Sequence, residues 1–233
     1  MNRDDPAPSI WLVQELPRKV AKGSIDRDAI AATAAEMLDE TGLDSFTMRD
    51  LGRRLGLSAM ACYAHVRHKD DVLELAQDHV MGRLEVREGD WQVILRALAE
   101  DYRALLVEHP WLPTLAGRFL NAGPNVGAMT RAAARHLSVA GLPDPLVPSA
   151  LSAAFTLAHG HGATEAAWRS RMPEADLDEL TTNLAAQATD PVLARRASLG
   201  IDRAGQDDWD FAISCLIAGI AAHLSDPTEG STA

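Results

Sequence analysis

Apolar residues recur at intervals of three and four along most of the chain, the spacing that lines up one face of an α-helix. The first such stripe is Ile30, Ala34, Met37 and Leu38. Asp26 and Asp28 stand where carboxylates favour a helix start, and Gly42 stands where glycine ends one, so a helix is expected from Ser24 or Asp26 to Thr41. Leu43 and Phe46 then serve as core anchors before a denser stretch, residues 47 to 69.

That stretch reads TMRDLGRRLGLSAMACYAHVRHK. Thr47 followed by Asp50 is a capping-box-like start. Met48, Leu51 and Leu55 form a narrow apolar stripe, with Arg49, Arg53 and Arg54 off it. Gly56 suits the left-handed conformation that stops a helix, Leu57 plugs the corner, and Ser58 is a natural N-cap for a second helix from about Ala59 to Val66. Cys62 and Val66 point inward in this reading, leaving Ser58, Met60, Ala61, Tyr63, Ala64 and His65 on the open side. Two short helices around a tight turn make a helix-turn-helix pattern, whose second helix fits the DNA major groove. A helical corner with solvated arginines has the same local pattern.

After Lys69, Asp70 and Asp71 open a helix carried by Val72, Leu73, Leu75, Ala76, Val80 and Leu84 to about Arg87. Gly89 and Asp90 break the pattern. A strong stripe of Trp91, Ile94, Leu95, Leu98, Tyr102, Leu105 and Leu106 then ends before Pro110. Trp111 to Leu120 is a short helical piece, Gly123-Pro124 a turn, and Val126 to Ala140 a helix closed by Gly141. A long helix is expected from Val147 to Arg171, with Gly160 and Gly162 leaving room for a ligand or a second helix. Residues 172 to 206 read as short helical pieces in a mobile loop region, broken by Pro173, Pro191 and Gly200. The last helix, about Asp208 to Leu224, is apolar nearly all round. It is assigned with the Val147 to Arg171 helix to a dimer four-helix bundle.

The fold class is therefore all-α: an N-terminal helix-turn-helix domain and a larger C-terminal helical domain. The expected division is an arm at residues 1–24, a DNA-binding domain at 25–87 and a ligand-binding and dimerisation domain at 88–233. Composition agrees, because 47% hydrophobic with only 5% aromatic residues suits alanine- and leucine-rich helix packing. No run of about 18 apolar residues suggests a membrane span, and the N-terminus lacks an export signal, so the expectation is a cytoplasmic protein with no membrane partner. Cys62 and Cys215 have no metal-ligand spacing.

A net charge of −11 argues at first against a nucleic-acid partner. Residues 47 to 69 reverse this locally: five basic residues (Arg49, Arg53, Arg54, Arg67, Lys69) against Asp50 leave +4. The first 24 residues hold Arg3, Arg18, Lys19 and Lys22 around one apolar patch, SIWLVQEL. This looks like a flexible tail, with an arm reaching a DNA minor groove as the alternative.

Residues 25 to 85 resemble the DNA-binding region of the tetracycline-repressor (TetR) family of bacterial transcription regulators. The support helix ending in DETGLDSFTMRDL, the turn LGLS, the segment ACYAHVRHK and the continuation DDVLEL carry the resemblance. It implies a homodimer whose recognition helices sit about one DNA turn apart on a pseudo-palindromic operator. It also implies a C-terminal pocket for a small-molecule inducer that releases a repressor from DNA. Thr47, Tyr63 and Lys69 match positions that hold phosphates; Arg49, Ser58, Met60, Ala61 and His65 match positions near bases or backbone. A core-capping role is the alternative for His65. The alanine-rich face leaves Arg49 as the best candidate for reading guanine, with thymine methyl contacts and DNA shape supplying the rest.

Candidate inducer-pocket residues are Trp111, Phe119, Met129, Phe155, His159 and Trp168, each of which also suits ordinary core. His161 and Glu165 share a helix face, but no third ligand is visible, so no metal and no cofactor are expected. A ligand-independent DNA-binding regulator is the first alternative. A small-molecule-transforming helical enzyme is the second, without an activated nucleophile or a phosphate loop to support it.

Overall fold

The computed structural model describes residues 9–12, 26–172, 174–199 and 201–225, and every regular element among them is helical. The helices are α1 (Arg27–Ser45), α2 (Met48–Arg54), α3 (Ala59–Cys62), α4 (Lys69–Met81), α5 (Trp91–Glu108), α6 (Leu112–Arg118), α7 (Pro124–Val139), α8 (Val147–Arg171), α9 (Glu174–Gln187), α10 (Pro191–Ala197) and α11 (Ile201–Ser225). Short 3-10 turns lie at Ile10–Leu12 and Asp144–Leu146. The chain forms two compact units: Met1–Glu85 with His109–Ala132, and Val86–Glu108 with Ala133–Ala233.

In the first unit α1 packs along α4 through Ile30, Ala31, Ala34, Ala35, Met37 and Leu38. Asp26 caps α1, its carboxylate accepting from the Ala29 N–H at 2.8 Å. The expected stop at Gly42 is a kink instead: Gly42 takes φ 75°, and one further turn carries the helix to Ser45. α4 ends at Met81, short of the expected Arg87, because the chain turns at Gly82. A Cβ there would lie 3.0 Å from the Asn125 side chain.

Segment 109–132 belongs to this first unit, and polar ties hold it there. The Asp39 carboxylate on α1 accepts from His109 Nδ1 at 2.7 Å and from Trp111 Nε1 at 2.6 Å. Arg83 lies 2.9 Å from His109 Nε2, which assigns the proton to Nδ1. Arg118 pairs with Asp70 at 3.0 Å.

The third tie is a helix cap supplied from another helix. Asp78 of α4 accepts from the N–H groups of Asn125 (3.1 Å) and Val126 (3.0 Å), the second and third residues of α7. Gly123 holds the N-cap position with no side chain of its own, and a Cβ there would lie 2.1 Å from the Asp78 carboxyl carbon. The foreign carboxylate does what a local cap normally does.

In the second unit α5 and α8 pair most extensively, with α11 against both. Gly162 permits this approach: a Cβ would meet Leu106 Cδ1 at 2.9 Å and the Arg103 carbonyl at 3.1 Å. Gly160 has nothing within 4 Å, so only Gly162 serves a second helix inside this unit. The short helical pieces expected between residues 172 and 206 are α9 and α10, packed together, and α11 starts at Ile201, ahead of the expected Asp208. Trp209 and Ile213 of α11 are buried, whereas Phe211 is 73% exposed.

Gly123→Ala should displace the Asp78 carboxylate and strip α7 of its cap. A loss of about 1–3 kcal/mol is expected in urea denaturation, the range for leaving buried polar groups without partners.

Candidate nucleic-acid interface

α2 and α3 are set at their corner by local chemistry. Thr47 caps α2, its Oγ1 accepting from the Asp50 N–H at 3.1 Å and donating to Asp50 Oδ2 at 2.5 Å. This is the capping-box-like start expected of Thr47 and Asp50, with the Asp50 carboxylate taking the Thr47 hydroxyl instead of its backbone N–H. Gly56 takes φ 69° at the turn, and Leu57 donates its N–H to the Gly52 carbonyl at 2.8 Å. Gly52 is the corner's close-approach residue, since a Cβ would lie 3.0 Å from both Ala59 N and Leu57 O. Ser58 caps α3 by accepting from Ala61 N–H at 3.1 Å.

α3 is a single turn, Ala59–Cys62, shorter than the expected run to Val66. Beyond it the backbone tightens into i to i+3 bonds, Ala64 N–H to Ala61 and His65 N–H to Cys62. Arg27 at the start of α1 clamps that end, donating from Nε (3.1 Å) and Nη2 (3.0 Å) to the His65 carbonyl. Nothing in the sequence pairs Arg27 with a residue 38 positions away, so only the fold reveals this contact.

The face left open carries Thr47, Arg49, Ser58, Met60, Tyr63 and Ala64, all exposed, with Ala61 half-buried. Met60 is 79% exposed, an unsupported apolar side chain at the centre of a polar surface. Cys62 and Val66 are fully buried, as the spacing predicts. His65 departs from the expected open face. Its side chain is only 6% exposed, which matches the core-capping alternative and removes it from the readily accessible surface.

The positive charge of residues 47–69 is largely spent inside the unit. Arg53 pairs with Asp50 at 2.8 Å, and Arg54 with Glu36 and Glu40 of α1. Arg67 pairs with Asp71 at 2.7 Å. Lys69 donates to the Phe46 carbonyl at 2.8 Å with its ammonium over the Phe46 ring, leaving two further N–H donors on that group. Among the described residues Arg49 has no hydrogen-bond or ion-pair partner.

Asp71 sets the turn after α3. Its fully buried carboxylate accepts from the Arg67 backbone N–H (2.7 Å) and from Arg67 Nε (3.0 Å) and Nη2 (2.7 Å). Burial pushes this carboxyl up, but the hydrogen bonds from the Arg67 side chain and backbone outweigh it and hold Asp71 below the usual carboxylate range. Glu74, one turn on, behaves oppositely. Its burial dominates and raises it against the pull of the Ser9 hydroxyl and Ile10 N–H. Acidic residues at 71, 74 and 78 within an otherwise apolar face were the available signal for these anchors. The helix-start reading of Asp71 absorbed it.

The candidate pocket residues are divided between the units. Trp111, Phe119 and Met129 lie in the first, where Trp111 is spent on Asp39 and Arg118 stacks over Phe119. Phe155, His159 and Trp168 lie in the second. There the Tyr102 ring meets Phe155 edge-on at 5.0 Å, and its hydroxyl lies 3.2 Å from His159 Nδ1. Burial pushes Tyr102 up to about 12, so its hydroxyl stays neutral. Trp168 is exposed. Glu165 is held by Arg103 (2.8 Å) and Arg169 (3.0 Å), and His161 packs edge-on against Trp209. Among the described residues no three metal-ligating side chains cluster. The basic residues of the expected arm, Arg3, Arg18, Lys19 and Lys22, lie outside the described residues.

Two family models match: "Bacterial regulatory proteins, tetR family" over residues 30–76, and "Tetracyclin repressor-like, C-terminal domain" over residues 85–224. An HTH-type transcriptional regulator of Saccharopolyspora erythraea is 33% identical over 222 residues, covering 92% of each chain. The HTH-type transcriptional repressor DrrR1 of Streptomyces coeruleorubidus is 27% identical over 61% of this chain and 54% of its own. The crystal structure of the Streptomyces coelicolor TetR family protein ActR in complex with (S)-DNPA superposes with TM-score 0.68 at 25% identity, over 86% of this chain and 99% of that one. No helix among the described residues is long and apolar enough to cross a membrane.

Asp71 provides a pH test. Its folded-state pKa is depressed, so its stabilisation is present above the unfolded value of 3.8 and is lost as pH falls through the folded one. Asp71→Asn should therefore cost about 3 kcal/mol at pH 7, as expected for breaking a buried pair, and the difference from wild type should shrink below pH 4 in denaturant titrations.

Proposed function

The chain belongs to the tetR family of bacterial regulatory proteins, and from that premise we propose a cytoplasmic homodimeric repressor that leaves a pseudo-palindromic operator when a small molecule binds. Residues 25–87 bind DNA, and residues 88–233, of which 109–132 pack with the first unit, bind ligand and dimerise. The observation that carries the DNA part is the exposed, capped α2–α3 corner with its one uncommitted guanidinium, Arg49. A duplex attracts cationic and hydrogen-bonding groups to phosphate, while base reading needs a side chain free to reach the groove. Thr47, Ser58, Tyr63 and Lys69 suit the first task. Arg49, Met60 and Ala61 suit the second, through guanine edges and thymine methyls.

ActR binds a small molecule, and the Tyr102, Phe155 and His159 cluster supports the same role here. Its two rings give apolar area, and the Tyr102–His159 pair gives a polar handle. Binding must favour the arrangement that does not fit DNA, or no release follows. Dimerisation through α8 and α11 is supported by the open space at Gly160 and Gly219 and by exposed Phe211, an apolar surface that a second copy covers. Light scattering at micromolar concentration is expected to give a dimer; a monomer overturns this part.

Gel shift on DNA upstream of the chain's own coding region tests the whole reading. A specific complex that a candidate ligand dissolves is expected; absence of any complex overturns it. Within that assay Arg49→Ala should alter which operator bases are preferred. Lys69→Ala should weaken all sequences alike and flatten the salt slope by about one. Equal losses for Arg49→Ala on every operator variant count against its reading role.

A further inference from the structure

The N-terminal segment is built into the first unit. Ser9–Leu12 closes one 3-10 turn with the Leu12 N–H on the Ser9 carbonyl at 3.1 Å, and Ile10 at its centre is only 4% exposed. The Ser9 hydroxyl donates to the Glu74 carboxylate, in the middle of α4. Glu74 lies one turn beyond Asp71, which holds the turn after α3 by three hydrogen bonds to Arg67. The segment therefore grips the same helix face that sets the end of the candidate recognition helix.

We propose that Ser9–Leu12 is a strap, caught by Glu74 and anchored by Ile10, that holds α4 in its DNA-competent position without itself touching DNA. The strap rests on the reading of the chain as a DNA-binding regulator. Ordering α4 in advance removes that ordering cost from DNA binding, so a seated strap raises operator affinity. A DNA-touching arm would raise it by a different term, phosphate neutralisation, and the two differ in salt dependence.

The test uses the full-length protein and an operator fragment bound by the wild type, with Kd measured across a salt series. Ile10→Ser removes the anchor without changing charge. It is expected to weaken binding by about five- to tenfold, with an unchanged slope of log K against log salt. Ile10→Val should stay within about twofold of wild type, because most of the apolar anchor remains. Glu74→Gln keeps an acceptor for the Ser9 hydroxyl and should also stay within about twofold, whereas Glu74→Ala should behave like Ile10→Ser. Hydrogen exchange should show faster opening of α4 amides in Ile10→Ser.

If Ile10→Ser fails to fold, Ser9→Ala, which deletes the hydroxyl's bond to Glu74 and its acceptor for the Trp11 N–H, carries the test with an expected loss of about two- to threefold. Wild-type affinity in the folded variant overturns the strap. So does a slope lowered by one or more, which would mean that unseating the segment removes phosphate contacts. A wild-type chain that binds no upstream fragment overturns the regulator reading and the strap with it.

Discussion

Three buried carboxylates on α4 hold the first unit together. Asp71, Glu74 and Asp78 fall at i, i+3 and i+7, so they share one face of the helix. A carboxylate taken out of water is costly unless hydrogen-bond donors surround it. Here each is supplied with donors by a different part of the chain: Arg67 after α3, Ser9 at the N-terminus, and the first turn of α7. The cost of burying the charges makes those contacts obligatory. Segments far apart in sequence are thereby fixed to one helix.

The same arrangement governs electrostatics at the candidate DNA surface. An acidic protein with a basic window suggests a cationic patch, yet acidic side chains of α1, α2 and α4 answer Arg53, Arg54 and Arg67. Among the described residues Arg49 makes no ion pair or hydrogen bond, though its charge is felt by the neighbouring Asp50 carboxylate, and Lys69 keeps part of its donor capacity. The proposed DNA contacts therefore rest on a few groups in defined positions, with sequence recognition assigned in that proposal to Arg49, the projecting Met60 and the shape of the duplex.

Much of this was legible in residue order. The caps at Asp26, Thr47 and Ser58, the turn at Gly56 and the buried Cys62 and Val66 all depend on interactions within a few residues, which spacing alone reveals. The C-terminal helices were legible by the same rule, their boundaries less so. Pro173, Pro191 and Gly200 read as breaks, and α9 and α10 form between them by packing against each other. His65 shows the limit from the other side. Its position suits an open face in a continuing helix, but α3 stops after Cys62, where the backbone tightens and Arg27 takes the His65 carbonyl.

The sequence by itself determined that this chain is helical, where most helices start, and that residues 47–69 form a helix-turn-helix corner of the tetR family. These properties follow from local hydrogen bonding and from apolar periodicity, both written within a turn or two of chain. Only the tertiary structure decided which charges stay free, that segment 109–132 joins the first unit through Asp39 and Asp78, and that Ile10 is buried. Each of these rests on a buried polar or apolar group meeting a partner tens of residues away. Solvation makes such a partner necessary without specifying it, and the packed helices choose which one is within reach.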